Sequence, residues 1–196
     1  MTSLDDLIKK ARHLRTEGHS PGQIADELAL SLETVTWLLT RDDSTSESPR
    51  DVHINWSTVS SDGFLLEQSA IMLTHLFTSR QEELPTTIIG ISMSGIALST
   101  CIATAMRSRL AIFHPADHGN GCTKGSLLGN FAEVNGETCL IVDDVITSGK
   151  SLREVIEYLK IHGATPVGCC VLFDKRGIQH IDGIAVYSLY KISRID

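Results

Sequence analysis

The sequence predicts an α/β protein in which a mostly parallel sheet flanked by helices follows a small all-helical domain. Two observations lead to this fold class. Over residues 51–196, apolar strand-like runs alternate with segments of helical spacing, which is typical of βαβ units and a parallel sheet. Residues 1–41 show helical periodicity only.

Composition limits the classes of protein that fit this fold. The chain has 196 residues, of which 42% are hydrophobic and 21% charged, as in a globular protein. The formal net charge of −7 argues against a protein that covers nucleic acid with a basic surface, but not against a small DNA-reading module on an acidic body. The five cysteines form no CxxC pair, and no secretory signal pattern begins the chain, so we expect reduced thiols and a cytoplasmic protein.

The uncharged stretch 84–106 is nominally long enough to cross a membrane. It contains Pro85, Gly90 and Gly95 and many hydroxyl residues, which fit a strand, a loop and a helix better than a membrane span. We therefore expect no membrane association.

Three helices are predicted before residue 42. Residues 20–23 form a capping box with Pro21 at the first helical position, which begins the second helix. The turn 29–31 leads to a third helix, which Ser31 can cap. One apolar stripe defines the first helix, at Leu4, Leu7, Ile8, Ala11 and Leu14.

Two short helices joined by a tight turn, after a longer helix, are typical of a helix-turn-helix DNA-binding domain. The numbers of acidic and basic residues in 1–41 differ by only one, so a single copy attracts DNA weakly through its charge. Useful affinity for double-stranded DNA is therefore expected from a homodimer, which places two copies on one duplex. A three-helix cap or a dimerisation arm is the alternative interpretation. The candidate DNA-binding residues, with short polar groups that can contact base edges and phosphates, are Ser20, Ser31, Glu33, Thr34, Thr36, Thr40 and Arg41.

The segment 42–50 is polar and Ser-rich and ends in Pro-Arg, which is typical of a linker. We therefore predict a helix-turn-helix domain at 1–41 and a ligand-binding domain at 51–196. In the latter, strands are expected at 87–92, 110–114, 138–142, 166–173 and 184–189, and helices at 64–79, 95–107 and 151–162.

The segment Cys139–Ser151 carries the most informative motif. A buried strand is followed by two adjacent carboxylates and then by a loop of hydroxyl residues and glycine that begins a helix. Such a loop can surround a phosphate with backbone N–H groups and hydroxyls, while the carboxylates accept hydrogen bonds from a vicinal diol or hold hydrated Mg²⁺. A ribose 5-phosphate site fits better than an ordinary capped helix. Its candidate residues are Asp143, Asp144, Val145, Ile146, Thr147, Ser148, Gly149, Lys150 and Ser151.

This stretch resembles the phosphoribosyl-pyrophosphate (PRPP) signature of the type I phosphoribosyltransferases. The resemblance implies that PRPP binds with Mg²⁺ at Asp143 and Asp144, and that the protein has no metal site of its own. Asp174 and Lys175, after the strand 166–173, are candidates for the side that faces a base. The loop Ser92, Met93, Ser94 and Gly95 occupies the place of the family's pyrophosphate loop, where Gly90 and Gly95 would allow a diphosphate to approach closely.

Several features of the family pattern that serve catalysis are missing from this sequence. In the orotate branch, a mobile loop ending in His-Gly supplies cations that neutralise the departing pyrophosphate. When His118-Gly119 is aligned with the His-Gly of that loop, the positions of the family's cationic residues are occupied here by Ile112, Phe113 and Ala116. The orotate enzymes' base-recognition element is also absent from residues 51–70. The candidate loop residues are His114, His118 and Lys124.

The spacing of His114, His118 and Cys122 could also suggest a metal site on a helix. Pro115, Gly119 and Gly121 disfavour a helix there, so a loop is the better interpretation. We therefore expect loop 113–131 to become ordered over a bound ligand.

The whole chain resembles archaeal helix-turn-helix transcriptional regulators with an orotate phosphoribosyltransferase-like domain, of the glucose/fructose catabolism regulator type. The resemblance implies a regulator that senses PRPP or a related sugar phosphate and does not catalyse the transfer. One alternative is an active phosphoribosyltransferase, of orotate or purine type, that transfers ribose 5-phosphate to a nucleobase. Another is a PRPP-binding protein with no DNA role. The segments that carry the resemblance are 18–28, Gly125-Ser126, 130–132, Asp174-Lys175 and 193–196.

Overall fold

The computed structural model describes residues 3–40, 49, 51–116 and 124–193. They form two compact units, the first ending at Asn55 and the second beginning at Trp56. The boundary therefore lies after Asn55 and not after residue 50, because Asp51 belongs to the first unit. Its Oδ2 accepts hydrogen bonds from the backbone N–H of Ser31 at 2.7 Å and from Oγ1 of Thr34 at 2.9 Å. Of the predicted linker, only Pro49 lies among the described residues.

The first unit is the predicted set of three helices: α1 (Leu4–Thr16), α2 (Pro21–Glu27) and α3 (Leu32–Thr40). The predicted capping box of α2 is confirmed, since Ser20 Oγ accepts from Gln23 N at 3.2 Å and Gln23 Oε1 accepts from Ser20 N at 2.9 Å. Ser31 Oγ accepts from Thr34 N at 3.2 Å and caps α3 as predicted. The buried core between the helices consists of Ala11, Ile24, Ala25, Leu28, Leu30, Val35 and Leu38.

The second unit is built on a seven-stranded sheet in the order β3-β2-β1-β4-β5-β7-β6. The pairs β2–β1, β1–β4, β4–β5 and β5–β7 are parallel, and the short strands β3 and β6 pair antiparallel at the two ends. The predicted fold class, a mostly parallel sheet with helices, is confirmed. The strands are β1 (Thr87–Ile91), β2 (Arg109–His114), β3 (Ser126–Leu127), β4 (Thr138–Ile146), β5 (Thr165–Asp174), β6 (His180–Ile181) and β7 (Ile184–Lys191).

Helices cover both faces of this sheet. Helix α7 (Lys150–Ile161) packs on one face against a core that includes Ile89, Ile141 and Val171. Helices α5 (Gly63–Thr78) and α6 (Gly95–Met106) pack on the other, where Phe77 and Leu140 are fully buried. The described residues include no helix that is long and apolar enough to cross a membrane. The uncharged stretch 84–106 forms β1, a loop and α6, as predicted.

The structure differs from the sequence prediction mainly in the length of β4. This strand was expected to end at Val142, but it continues to Ile146 because Asp143 and Val145 still pair with β5. Three short elements were not predicted, namely α4 (Ser57–Ser60), β3 and β6. Two to four residues are too few to show a periodic pattern.

Candidate functional site

Neighbouring parallel strands β1, β4 and β5 run toward the same edge of the sheet, and each has a predicted site segment at its carboxyl end. The loop 92–95 follows β1, the loop 147–149 follows β4, and Asp174 ends β5. The carboxyl ends of adjacent parallel strands lie at one edge of the sheet, where such folds bind ligands. The architecture therefore brings the predicted pyrophosphate and phosphate segments to the same edge.

The phosphate loop, residues 147–151, joins β4 to the first turn of α7. Gly149 has a φ of 74°, a left-handed conformation that turns the chain into the helix. Ser148 is exposed and its Oγ accepts from Lys150 N at 3.3 Å, while Arg176 Nε donates to Thr147 O at 2.8 Å. Hydroxyls and the N-terminal N–H groups of a 12-residue helix form an arrangement that can accept an anionic group.

Two residues that the motif included with this loop have apolar side chains and lie within β4. Ile146 is buried in the core under α7, and Val145 is half-buried within β4. The strand continues through both, so only their backbone belongs to the edge of the site. The polar side chains that follow β4 in this motif are all at least partly exposed, namely those of Thr147, Ser148, Lys150 and Ser151.

The two adjacent carboxylates have different environments. Both lie within β4, where successive side chains point to opposite faces of the sheet. Asp143 is half-buried, and its Oδ1 accepts from Ser94 Oγ at 3.3 Å and from Asp144 N at 2.9 Å. Asp144 is only 6% exposed, and its Oδ2 accepts from the indole Nε1 of Trp56 at 3.1 Å.

Burial raises the pKa of Asp144 above its usual value, against the opposing effect of its hydrogen-bond donors. The two carboxylates therefore differ in their availability to a diol or to Mg²⁺ in this conformation. Asp143 is the more accessible acceptor, beside the loop 92–95. Asp144 is a buried group already bound to a tryptophan.

Ser94 places the predicted pyrophosphate loop directly against Asp143 through the hydrogen bond described above. At the other end of the loop, Ser92 Oγ lies 2.7 Å from Nδ1 of His114, and the side chain of Met93 is 70% exposed between them. The Ser92–Met93 peptide bond is cis. The loop thus links the ends of β1, β2 and β4, with its outermost side chain open to solvent.

Both glycines of this region are required for close packing. A Cβ on Gly95 would lie 2.7 Å from the backbone oxygen of Val142 and 3.2 Å from Cα of Asp143. A Cβ on Gly90 would overlap the side chain of Ser99 on α6. They let α6 pack closely on β1 and β4, and the role predicted for them in diphosphate approach stays a prediction.

The candidate loop 113–131 is described at its two ends. Phe113 pairs with Leu127 across β2 and β3, and Glu154 Oε1 on α7 accepts from Ala116 N at 3.0 Å and from Gly125 N at 2.7 Å. A single carboxylate oxygen therefore fastens both arms of the hairpin to the helix that begins at the phosphate loop. His114 and Lys124 are exposed, whereas His118 and Cys122 lie outside the described residues.

Asp174 does not face a ligand as predicted. It is fully buried, and its Oδ1 accepts from the backbone N–H groups of Arg176 and Gly177 at 2.8 and 2.9 Å, which fixes the turn after β5. Lys175 is half-buried, and its N–H donates to Ile146 O at 3.1 Å. Among the described residues, no three His, Cys, Asp or Glu side chains are grouped so that they could hold a metal ion.

In the first unit, α3 presents a smaller polar face than predicted. Glu33, Thr36 and Thr40 are exposed, as expected. Thr34 is only 8% exposed because its hydroxyl binds Asp51, and Ser20 is only 3% exposed because it caps α2. These two are structural residues of the unit. Arg41 lies outside the described residues, and Ser31 is half-buried at the cap of α3.

Comparison with known proteins identifies the family. Residues 66–192 match the phosphoribosyl transferase domain family. Over 199 aligned residues that cover both chains completely, the sequence is 57% identical to the transcriptional regulator GfcR of Methanospirillum hungatei. The chain belongs to the GfcR family of transcriptional regulators. The GfcR protein of Methanocorpusculum labreanum is 52% identical, again over the full length of both chains.

Solved structures show the same fold for the second unit of this GfcR-family chain. Orotate phosphoribosyltransferase from Aeropyrum pernix is 21% identical with a TM-score of 0.61, covering 74% of this chain and 81% of that enzyme. Adenine phosphoribosyltransferase from Thermoanaerobacter pseudethanolicus is 17% identical with a TM-score of 0.59, covering 72% and 89%. At these identities the likeness establishes the fold alone.

Sequence reasoning missed two residues of this site. Trp56 lies 88 positions from the carboxylate that it binds, and Glu154 lies 29 positions from Gly125. Neither belongs to a local motif, so no spacing in the sequence pointed to them. The one available signal was a tryptophan at the start of the second unit in a chain with only two tryptophans.

Proposed function

We propose that this protein is a cytoplasmic, homodimeric, DNA-binding transcriptional regulator whose second unit binds PRPP or a related sugar phosphate, with Mg²⁺, as effector. The observation that carries the proposal is the extent of the identity to the GfcR regulators. It covers 100% of this chain, so it includes the three-helix unit as well as the phosphoribosyl transferase domain.

The three-helix unit supports the DNA-binding part of the proposal. Helices α2 and α3 are short, meet at a tight turn and pack on α1 around a common core, as in a helix-turn-helix. The exposed side chains Glu33, Thr36 and Thr40 give α3 a polar outer face for base edges and phosphates.

The edge of the sheet supports the effector. The phosphate loop offers N–H and hydroxyl donors, and the half-buried Asp143 offers a carboxylate for a ribose hydroxyl or for Mg²⁺. An effector changes DNA binding only if it binds one conformation of the protein better than the other. A hundredfold change in DNA affinity needs about 2.7 kcal/mol of differential effector affinity.

Enrichment of sheared genomic DNA on the immobilised full-length protein, with and without Mg-PRPP, tests the proposal. We expect a small set of fragments to be enriched, and PRPP to change their recovery. Thr36→Glu places a negative charge on the outer face of α3 and should abolish enrichment. Thr100→Glu is the matched control, because Thr100 is likewise an exposed helical threonine bonded to the carbonyl four residues earlier. Enrichment by the Thr36→Glu protein equal to that of its parent would contradict the assignment of α3.

Turnover assays separate this function from the enzymatic alternative. Mg-PRPP is incubated with orotate, uracil, adenine, guanine, hypoxanthine or xanthine, and pyrophosphate release is followed. We expect no turnover, because two of the positions that resemble the catalytic cations, Ile112 and Phe113, are fully buried in β2. Product formation with any base near the typical rate of about 10 s⁻¹ would overturn a purely regulatory role.

A further inference from the structure

The positive charge in the described part of the first unit lies on one helix. In residues 3–40, 49 and 51–55, every lysine and arginine belongs to α1. The segment 9–16 contains Lys9, Lys10, Arg12 and Arg15 and no acidic residue. Helices α2 and α3 carry only acidic charges, at Asp26, Glu27 and Glu33.

This basic surface, defined as Lys9, Lys10, Arg12 and Arg15, is open to solvent along its whole length. Lys10 lies 4.0 Å from Glu27, and Arg15 Nη1 donates to His19 O at 2.9 Å. The Lys10–Glu27 pair is exposed, so it contributes little and competes weakly with another anion. An ammonium has three donors and a guanidinium five, so both side chains keep donors for a further anion.

The side chains of α3 offer DNA no positive charge, which the basic surface of α1 can supply. Contacts to DNA phosphates supply nearly all of the sequence-independent affinity and much of the specific affinity. The exposed side chains of α3 are Leu32, one carboxylate and two hydroxyls, and none of them attracts phosphate by charge. Among the described residues of the unit, the cations that can attract phosphate are those of α1.

An anionic membrane fits the surface less well than DNA. Helices that lie on membranes insert an apolar face beneath their charged face. The apolar residues Leu7, Ile8, Ala11 and Leu14 of α1 instead pack into the core of the three-helix unit, which leaves only Leu4, at 43% exposure, on the outside. DNA needs no such apolar face.

We propose that Lys9, Lys10, Arg12 and Arg15 of α1 contact the backbone phosphates of the DNA duplex that α3 engages. This inference rests on the proposed function. It assigns the electrostatic part of binding to α1 and the reading of bases to α3, so that the two contributions can be separated by mutation.

The test uses the full-length protein and a labelled 30-bp duplex of random sequence, because phosphate contacts do not depend on sequence. Binding is titrated at several salt concentrations. For the double variant Lys9→Gln with Arg12→Gln, we expect weaker binding. The slope of log K against log[salt] should be smaller in magnitude by about 2, which is about 1 for each cation that the substitutions remove. Glutamine is a good helix former, so α1 should persist.

Arg80→Gln with Lys160→Gln is the matched control, because it removes two exposed cations from the second unit. Its affinity and slope should equal those of the parent. If the α1 double variant binds like the parent, the basic surface is not a DNA contact and the proposed function stands. If the parent itself binds neither this duplex at low salt nor the genomic fragments, the proposed function fails and this surface fails with it.

Discussion

The indole Nε1 of Trp56 donates a hydrogen bond of 3.1 Å to Oδ2 of the buried Asp144. Trp56 is the first residue of the second unit, and its ring lies 6.4 Å from that of Phe173, which stacks at 5.4 Å on Tyr190. One carboxylate of the effector motif is therefore bonded to the residue at which the second unit begins. A ligand that competes for Asp144 must first break this bond.

Trp56→Phe removes the donor and keeps an aromatic ring against Phe173. Loss of a hydrogen bond to a buried carboxylate destabilises the folded state by about 1–3 kcal/mol. The free energy of unfolding in urea should therefore fall by that amount. The other tryptophan provides the control, since Trp37→Phe leaves Asp144 untouched. An unfolding free energy for Trp56→Phe equal to that of the parent would mean that the bond contributes nothing to stability.

The pH dependence of stability tests the state of Asp144. Its pKa in the folded protein is raised by burial, so the folded state holds the proton more tightly than the unfolded state does. Stability from this group is fully present below the unfolded pKa of 3.8 and is lost as pH rises through the folded value.

Asp144→Asn removes that titration and keeps an oxygen that can accept from Trp56. In urea unfolding measured from acidic to neutral pH, the stability of this variant relative to the parent should therefore increase as pH rises. Parallel curves for the two proteins, or a variant that loses relative stability toward neutral pH, would show that burial does not disfavour the charged form.

Effector binding should depend on the carboxylate that remains accessible. Saturating Mg-PRPP at about 100 times its Kd should stabilise the parent by about 2.7 kcal/mol, which a thermal shift assay detects. Asp143→Asn should lose most of that stabilisation, and Asp143→Asn with Asp144→Asn should lose all of it while the fold persists. Asp182→Asn is the control, because Asp182 is exposed and its φ of 49° suits asparagine. Full stabilisation of the double variant would refute the site.

Gly95→Ala tests the packing of α6 on β4. The added Cβ would meet the backbone oxygen of Val142 at 2.7 Å, and such overpacking costs about 1–3 kcal/mol of unfolding free energy. Gly63→Ala is the matched control at the first position of α5, where a Cβ meets nothing within 4 Å. It should be neutral or stabilise by up to about 1 kcal/mol. Equal stabilities of the two variants would show that Gly95 is dispensable for packing.

The sequence predicted most of the fold because its signals are local. Apolar periodicity marked the longer strands and helices, and the capping box at Ser20 fixed the start of α2. The loop between β4 and α7 was likewise predictable, since it lies in one short segment, and its role in phosphate binding stays a prediction. These elements depend on neighbouring residues, which a single sequence displays directly.

What could not be predicted depends on tertiary contacts. Thr34 has the polarity of a surface residue, yet its hydroxyl is buried against Asp51. Gly95 fits a phosphate-binding loop as well as it fits close helix packing, and only the position of Val142 shows that packing requires a glycine there. The unequal environments of Asp143 and Asp144 follow from Trp56, which no pattern connects to them.

The central claim is that effector binding at the edge of the sheet changes DNA binding by the first unit. Its most direct test is the affinity of the full-length protein for an enriched genomic fragment, measured by fluorescence anisotropy with and without Mg-PRPP, for the parent and for Asp143→Asn with Asp144→Asn. We expect PRPP to shift the affinity of the parent and to leave that of the double variant unchanged. An affinity of the parent that PRPP does not alter, or an equal shift in both proteins, would contradict the claim.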